Sequence, residues 1–294
     1  MRILSLPLRR IGKHINSETG LIQMTASNAV LVRIVAWLAL VVFLPAHAHY
    51  IELERELAQR DTLTMGISAT GYPFAQQQDG EFRGFEVAMA QGVADAHDLS
   101  LRLVRLPGEE LAAALMRGEV DAINTLALSG TIAATLTIPY LVVGDHVMIL
   151  RGNPFRIQRL DDLQGRTVSA TSGSTAERFA LSLNQEFESS GGTPMQIHSF
   201  PFHRATHFPV SMGHAAAYFV KSVSAVAISQ DPDARTRMLE GAFRAVREVG
   251  FTVRAGNDNI YHAIEHAIAA MVATGKYEQL RKTYWLPAEL SPFR

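Results

Sequence analysis

Between Leu63 and Ile123, short apolar runs alternate with helix-patterned segments. This alternation restricts the fold more than any other feature of the chain. Leu63 to Ser68 reads as a strand, followed by the turn Gly71-Tyr72-Pro73-Phe74. Asp79-Gly80 is a hairpin-turn signal. Phe85, Ala88, Met89, Gly92 and Val93 share one helical face. Leu101 to Leu106 alternates as a strand, Leu111 to Met116 is a helix stopped by Gly118, and Val120 to Ile123 is a short buried strand. The order β-α-β-α-β predicts a doubly wound α/β sheet. Ligands in such sheets bind beyond the carboxyl ends of the strands, which puts Tyr72, Phe74 and residues 125–131 on one rim. The segment Val120 to Tyr140, rich in small and hydroxylated residues, leaves a strand end and suits a backbone that approaches a ligand closely.

Beyond it, Val147 to Leu150 reads as another strand, and Arg151-Gly152-Asn153-Pro154 breaks the pattern. A lobe boundary is expected there. Leu160 to Gly165 is a short helix ending in glycine, Thr167 to Ala170 a strand, and Gly173 to Glu177 opens a helix. Gln196 to Phe200 and Ala215 to Val220 read as strands around an irregular Pro201 to Met212. Gly250 to Arg254 is a late strand taken as the return crossing. Ile260, Ala263, Ile264, Ala267, Ile268 and Met271 form an apolar helix stripe, and a last helix runs from Tyr277 to Trp285. The expected organisation is a signal peptide (1–48), a leader (49–62), a first lobe (63–150 plus 250–294) and a second lobe (151–249).

The signal reading rests on Arg33, the apolar run Ile34 to Leu44 and the small-residue site Ala46-His47-Ala48. The run is too short for a comfortable membrane span of about 20 residues. Met24 is an alternative start. Cleavage after Ala48 removes five basic residues and one acid, leaving 22 basic against 27 acidic residues, net −5. A mildly acidic exported domain argues against nucleic acid as a partner. With no cysteine, the chain has neither disulfides nor a lipid-attachment cysteine. A periplasmic location and a monomer are expected.

No catalytic constellation is visible: there is no cysteine, no G-x-S-x-G and no phosphate-binding loop. Glu86 and Glu177 are the acids nearest the expected cleft, and neither has a helper evident in sequence. His203 and His207, with His198 and His214 nearby, raise the question of a metal, but chance spacing explains them better. His262 and His266 share a helix face without a third ligand. No catalytic residue, metal or cofactor is assigned.

Five stretches, in this order, carry a resemblance: GYPFAQQQDGEFRGFEVAMAQGVA (71–94), ALMRGEVDAI (114–123), IPYL (138–141), LDDLQGRTVSATSGSTAERF (160–179) and GNDNIYHAIEHAIAAMVATGKYEQLRKTYW (256–285). Together they resemble the polar-amino-acid type, family 3, periplasmic solute-binding proteins of ABC importers. The resemblance implies a type II periplasmic-binding-protein fold: two α/β lobes joined by two hinge strands, a small ligand enclosed between them and a membrane permease as partner. It implies that Tyr72 and Phe74 form an aromatic wall. Thr125, Ala127 and Ser129 would grip the ligand with backbone groups and hydroxyls. Ser172, Ser174 and Thr175, at a helix start, would hold an anionic group.

Two departures bear on the ligand. The family places an arginine between the Val120–Ile123 strand and the Pro-Tyr pair, where it clamps the amino acid's carboxylate. Here Ser129 to Pro139 contains no charge at all. The family's amino-group acceptor, an aspartate after the Ala215–Val220 strand, is replaced by Lys221, which cannot accept a hydrogen bond. The expected ligand is therefore a small polar anion meeting Lys221 and the Ser174 helix end, with a neutral ligand also compatible, and not a free α-amino acid. An enzyme of dehydratase or lyase type on the same scaffold, and an accessory of an envelope oxidoreductase or sensor, are the rival readings.

Overall fold

The computed structural model describes residues 52–126 and 132–293. The signal peptide, the alternative start at Met24, and two expected ligand residues, Ala127 and Ser129, lie outside the described residues. Among the described residues, no helix is long and apolar enough to cross a membrane.

One eight-stranded sheet, in the order β4-β1-β5-β10-β6-β9-β7-β8, runs through both lobes. β1 (Thr62–Ile67) lies between β4 (Ser100–Arg105) and β5 (Ala122–Asn124), all three parallel. All six residues of β1 are buried, as expected for a central strand covered on both faces. β2 (Gln76–Gln78) and β3 (Glu81–Arg83) form the small hairpin, with Asp79 and Gly80 both at positive φ as a tight turn of this kind requires. Helix α1 (Phe85–Ala96) buries Phe85, Met89, Ala90 and Val93. Helix α2 (Gly108–Arg117) ends on Gly118 in the left-handed region.

The second lobe repeats this arrangement. β7 (Thr167–Thr171) lies parallel to β8 (Gln196–Phe200) and to β9 (Ala217–Lys221). Helix α3 (Thr175–Ser189) packs Phe179, Ala180, Leu183 and Phe187 into this lobe's core, and α4 (Ser222–Gln230) follows β9 without a break. Helices α5 (Asp258–Ala273) and α6 (Lys276–Thr283) return to the first lobe. The buried face of α5 is Ile260, Ala263, Ile264, Ala267, Ile268 and Met271. That is the stripe its sequence periodicity specifies.

The largest difference from the sequence reading concerns the crossing strands. Val147–Leu150 and Gly250–Arg254 are only the ends of β6 (Thr135–Leu150) and β10 (Thr236–Arg254). The two run antiparallel along nearly their whole length. Pro139 does not stop β6, because it sits beside a register irregularity at Val249/Gly250 where a missing N–H is tolerated. The change of core falls inside these strands, not at the Arg151–Pro154 turn. Val143, Val249 and Phe251 pack in the first-lobe core, whereas Val147, Ile149, Leu239 and Ala242 pack in the second. A strand with apolar residues toward each end can serve both cores without a loop between them.

The crossing is tight. A Cβ on Gly144 would lie 1.9 Å from the carbonyl oxygen of Arg244, and one on Gly250 would lie 1.9 Å from that of Ile138. The Ser222 hydroxyl accepts from Gly144 N at 2.9 Å and donates to Gly144 O at 3.0 Å. It thereby extends the β9 ladder by one step after the strand has turned into α4. Gly144→Ala should destabilise the fold by about 1–3 kcal/mol, the usual cost of overpacking. A thermal melt of the variant against wild type measures this, and an unchanged midpoint would mean that the strands can part at no cost.

Candidate functional site

Glu86 organises the first-lobe rim. It opens α1 and is fully buried. The Tyr140 hydroxyl donates to its Oε1 at 2.6 Å, and Asn124 Nδ2 donates to its Oε2 at 3.0 Å. Asn124 Oδ1 in turn accepts from Ser68 N at 3.1 Å. One carboxyl therefore ties together the ends of β1 and β5, the helix start and the crossing strand β6. Burial pushes its pKa up to about 7, against the opposing pull of the Tyr140 and Asn124 hydrogen bonds.

The aromatic wall divides. Tyr72 is 45% exposed and meets Tyr284 edge to face, with ring centroids 6.4 Å apart. Phe74, expected beside it, is fully buried in the first-lobe core. The backbone explains the correction. Phe85 N donates to Pro73 O and Glu86 N to Phe74 O, so the turn is strapped to the start of α1. Gly84, at φ 133°, permits this, since a Cβ there would lie 2.2 Å from Phe74 O. The strap leaves the Phe74 ring facing inward.

Thr125 closes β5 against β10. Its Oγ1 donates to Gly250 O at 3.1 Å and accepts from Gly250 N at 2.9 Å. From β10, Arg247 donates through Nη1 to Thr125 O at 3.2 Å and through Nη2 to Leu126 O at 3.0 Å. The Thr125 hydroxyl is thus already engaged, and a guanidinium stands at the end of β5.

On the second-lobe rim, Ser174 caps α3, accepting from Glu177 N at 3.1 Å. Glu177 reaches back to accept from Gly173 N at 2.7 Å and from the Ser199 hydroxyl. The chain's own carboxylate therefore occupies part of this positive helix end, and Ser172 N is committed to Phe200 O. Thr175 Oγ1 donates to Asp145 Oδ1 at 2.8 Å. Asp145 lies on β6, directly across from Lys221 on β9 and from Arg244 on β10. It is 1% exposed, and its Oδ2 has no hydrogen-bond partner. Burial pushes its carboxyl above the usual range, while the Thr175 bond and the charges of Lys221, Arg244 and Arg178 pull it back. Lys221 is exposed, and its ammonium makes no hydrogen bond or ion pair among the described residues. The neighbouring His146 is buried against Phe243, and desolvation lowers its pKa to about 4.

The structure therefore brings Thr175 and Lys221 to Asp145, leaves Ser172 and Ser174 bonded within their own turn and to β8, and ties Thr125 to β10 through Gly250 and Arg247. Asp145, Glu177 and Arg247 were not assigned to the site from sequence. Asp145 leaves a signal, a lone acid inside the apolar run LVVGDHVMIL. Arg247 leaves none, because its partners lie more than 120 residues upstream. Among the described residues, no three His, Cys, Asp or Glu side chains converge as metal ligands. His203 pairs with Ser224 Oγ at 2.6 Å, and His207 stacks on Phe208.

A sheet shared by two lobes, with strand ends, a helix start and a cluster of charges at the crossing, defines a two-lobed ligand-binding protein of the type II periplasmic class. Residues 63–287 match the family of bacterial extracellular solute-binding proteins, family 3, and the chain belongs to that family. It is 25% identical over 243 residues to the L-cystine-binding protein TcyJ of Escherichia coli, covering 81% of this chain and 88% of the relative. It is 24% identical over 238 residues to the histidine-binding periplasmic protein of the same species, covering 76% and 87%. In fold it is similar to the second substrate-binding domain of Lactococcus lactis GlnP in its open conformation, with a TM-score of 0.66, 18% identity, and coverage of 77% and 96%. It is likewise similar to the unliganded, open L-cystine solute receptor of Neisseria gonorrhoeae, with a TM-score of 0.65, 18% identity, and coverage of 83% and 98%.

Glu86 gives the site a pH signature. Its pKa rises from 4.5 unfolded to about 7 folded, so the folded state holds the proton more tightly. Its contribution is complete below about 4.5 and is lost as pH rises through about 7. His146 acts with the opposite sign between about 4 and 6.5, its folded pKa being depressed. The difference in stability between wild type and Glu86→Gln isolates the carboxyl. That difference should change by roughly 3 kcal/mol between pH 4.5 and 8, and parallel curves would show that Glu86 does not titrate there.

Proposed function

We propose that this chain is the exported binding component of an ABC importer, and that it encloses a small polar anionic ligand between its lobes for delivery to the membrane permease. It works as a monomer after signal-peptide cleavage, and it holds its ligand without catalysis. Lys221 carries this reading. It is an exposed ammonium without a hydrogen bond or close ion pair of its own among the described residues, at the end of β9, where it, Arg244 and Arg178 all act on the one carboxyl of Asp145. Thr175, its hydroxyl already given to Asp145, opens α3 beside it, and the first-turn N–H groups of that helix are donors that suit an anionic group. Tyr72 offers an exposed ring to the ligand's carbon frame from the other lobe.

The ordinary amino-acid clamp is not assembled from the family's usual positions, so we read the ligand as something other than a standard α-amino acid. A second reading draws on the relatives, whose names state L-cystine and histidine binding. An amino acid would need its ammonium accepted by an oxygen, and Asp145 Oδ2 is the buried acceptor left over in the cluster.

A thermal-shift panel of small mono- and dicarboxylates beside the common L-amino acids separates the two. A ligand that binds only the folded state stabilises it by about 2.7 kcal/mol at a hundred times its Kd. Carboxylates should raise the melting temperature, and a clear rise with ordinary L-amino acids alone would overturn the anionic reading. For a carboxylate that binds, Lys221→Ala should cost roughly 1–3 kcal/mol of affinity. Unchanged affinity would remove Lys221 from the site.

A further inference from the structure

Arg247 is a partly buried guanidinium with no ion-pair partner among the described residues. It sits on β10 across from Val143, beside a register irregularity at Ala245/Arg247. The intervening Val246 is 48% exposed, as expected of the extra residue in a bulge that re-aims its neighbour. The side chain turns toward the end of β5 and donates one N–H each to Thr125 O and Leu126 O. A guanidinium carries five N–H donors in a planar fork. The other three have no partner among the described residues, and no carboxylate there lies within ion-pair distance. Desolvation lowers its pKa and no neighbouring charge opposes the shift. A desolvated cation left unpaired is costly, and the cost falls when an anion arrives.

The place matters as much as the charge. Thr125 and Leu126 open the segment that, in the resembling family, carries the carboxylate-clamping arginine, and the following stretch of this chain has no charge. We infer that Arg247 supplies the missing guanidinium from the hinge strand and grips an anionic group of the ligand, opposite Lys221. Val143 and Asp145, the β6 partners of Arg247 and Lys221, are two residues apart on one side of the strand, a separation of about 7 Å. Lys221 and Arg247 stand on the two strands that flank β6, so two strand spacings, roughly 10 Å, also separate their backbones across the sheet, and two cations set apart in this way suit a ligand with a negative group at each end. The ligand class is thus a small dicarboxylate, an assignment that rests on the anionic reading above.

The test uses the full chain, the straight-chain dicarboxylates from malonate to adipate, and the monoamide of each. At least one dicarboxylate should bind by calorimetry, and its monoamide should bind less tightly. Arg247→Gln should weaken the dicarboxylate roughly ten- to a hundredfold. The variant should bring it close to the monoamide, because the amide has no charge left to lose. Arg247→Lys should fall between, since it keeps the charge but not the fork. Equal weakening of acid and amide, with a lowered melting temperature of the free protein, would leave Arg247 as a strut for the Thr125 backbone and overturn the inference. Unchanged binding of a dicarboxylate in both variants would overturn it while the anionic reading stands. If only L-amino acids bind, the anionic reading and the dicarboxylate fall together. The same acid-against-amide comparison, made with an amino acid and its amide, then decides whether Arg247 holds a carboxylate at all. A wild-type protein that no carboxylate stabilises overturns both.

Discussion

The crossing of β6 and β10 is the constraint on which the rest of the molecule depends. Two long strands pair from Thr135 to Leu150 and serve a different core at each end. Their closest approaches fall at Gly144 and Gly250, where a side chain would strike a backbone carbonyl. Both register irregularities beyond Ala245 fall in this stretch. A bulge in paired strands increases local twist and bends the ladder. The crossing is therefore a paired ribbon, bent at its register shifts, that joins the two cores without a loop.

Everything charged near the cleft is referred to that ribbon. Asp145 and Arg247 stand on it, and Lys221 and Arg244 face Asp145 from the adjoining strands. Thr175, at the start of α3, meets the same carboxylate. Asp145 thus fills a position at a helix start where an anion is favoured, as does Glu177, which reaches back to Gly173 N ahead of the cap. The positive helix end is partly spent on the chain's own carboxylates. On the proposed reading, an anion at this helix end depends on Lys221 as well as on the helix.

Much of this was legible in the sequence. The α/β alternation, the Asp79-Gly80 hairpin, the α5 stripe and the Ser174 cap all follow from local pattern, and the structure has them. Phe74 was not legible. A Tyr-Pro-Phe turn offers two rings to a rim, and which one faces inward depends on a backbone strap to Gly84 and Glu86 that no local rule encodes. The length of β10 was hidden too, because Arg237 to Glu248 mixes charged and apolar residues without strict alternation. A strand that lines a core at one end and a cleft at the other cannot keep a two-residue period. Arg247 was beyond reach for a different reason: its meaning comes from carbonyls contributed by a strand end far away in the chain.

Moving a guanidinium from a loop to a hinge strand changes what binding does. A loop arginine must be ordered when ligand arrives, and that costs entropy. Arg247 is already fixed by two carbonyls and by the ladder on either side, so less ordering remains for the ligand to drive. The cost is borne in the empty protein, which holds at the end of β5 a partly buried cation with no ion-pair partner among the described residues and, against α3, a buried acid with a free oxygen. Both penalties are relieved by a ligand that brings a negative group to one and a hydrogen-bond donor to the other. Because both residues stand on the crossing strands, that relief is felt where the lobes pivot.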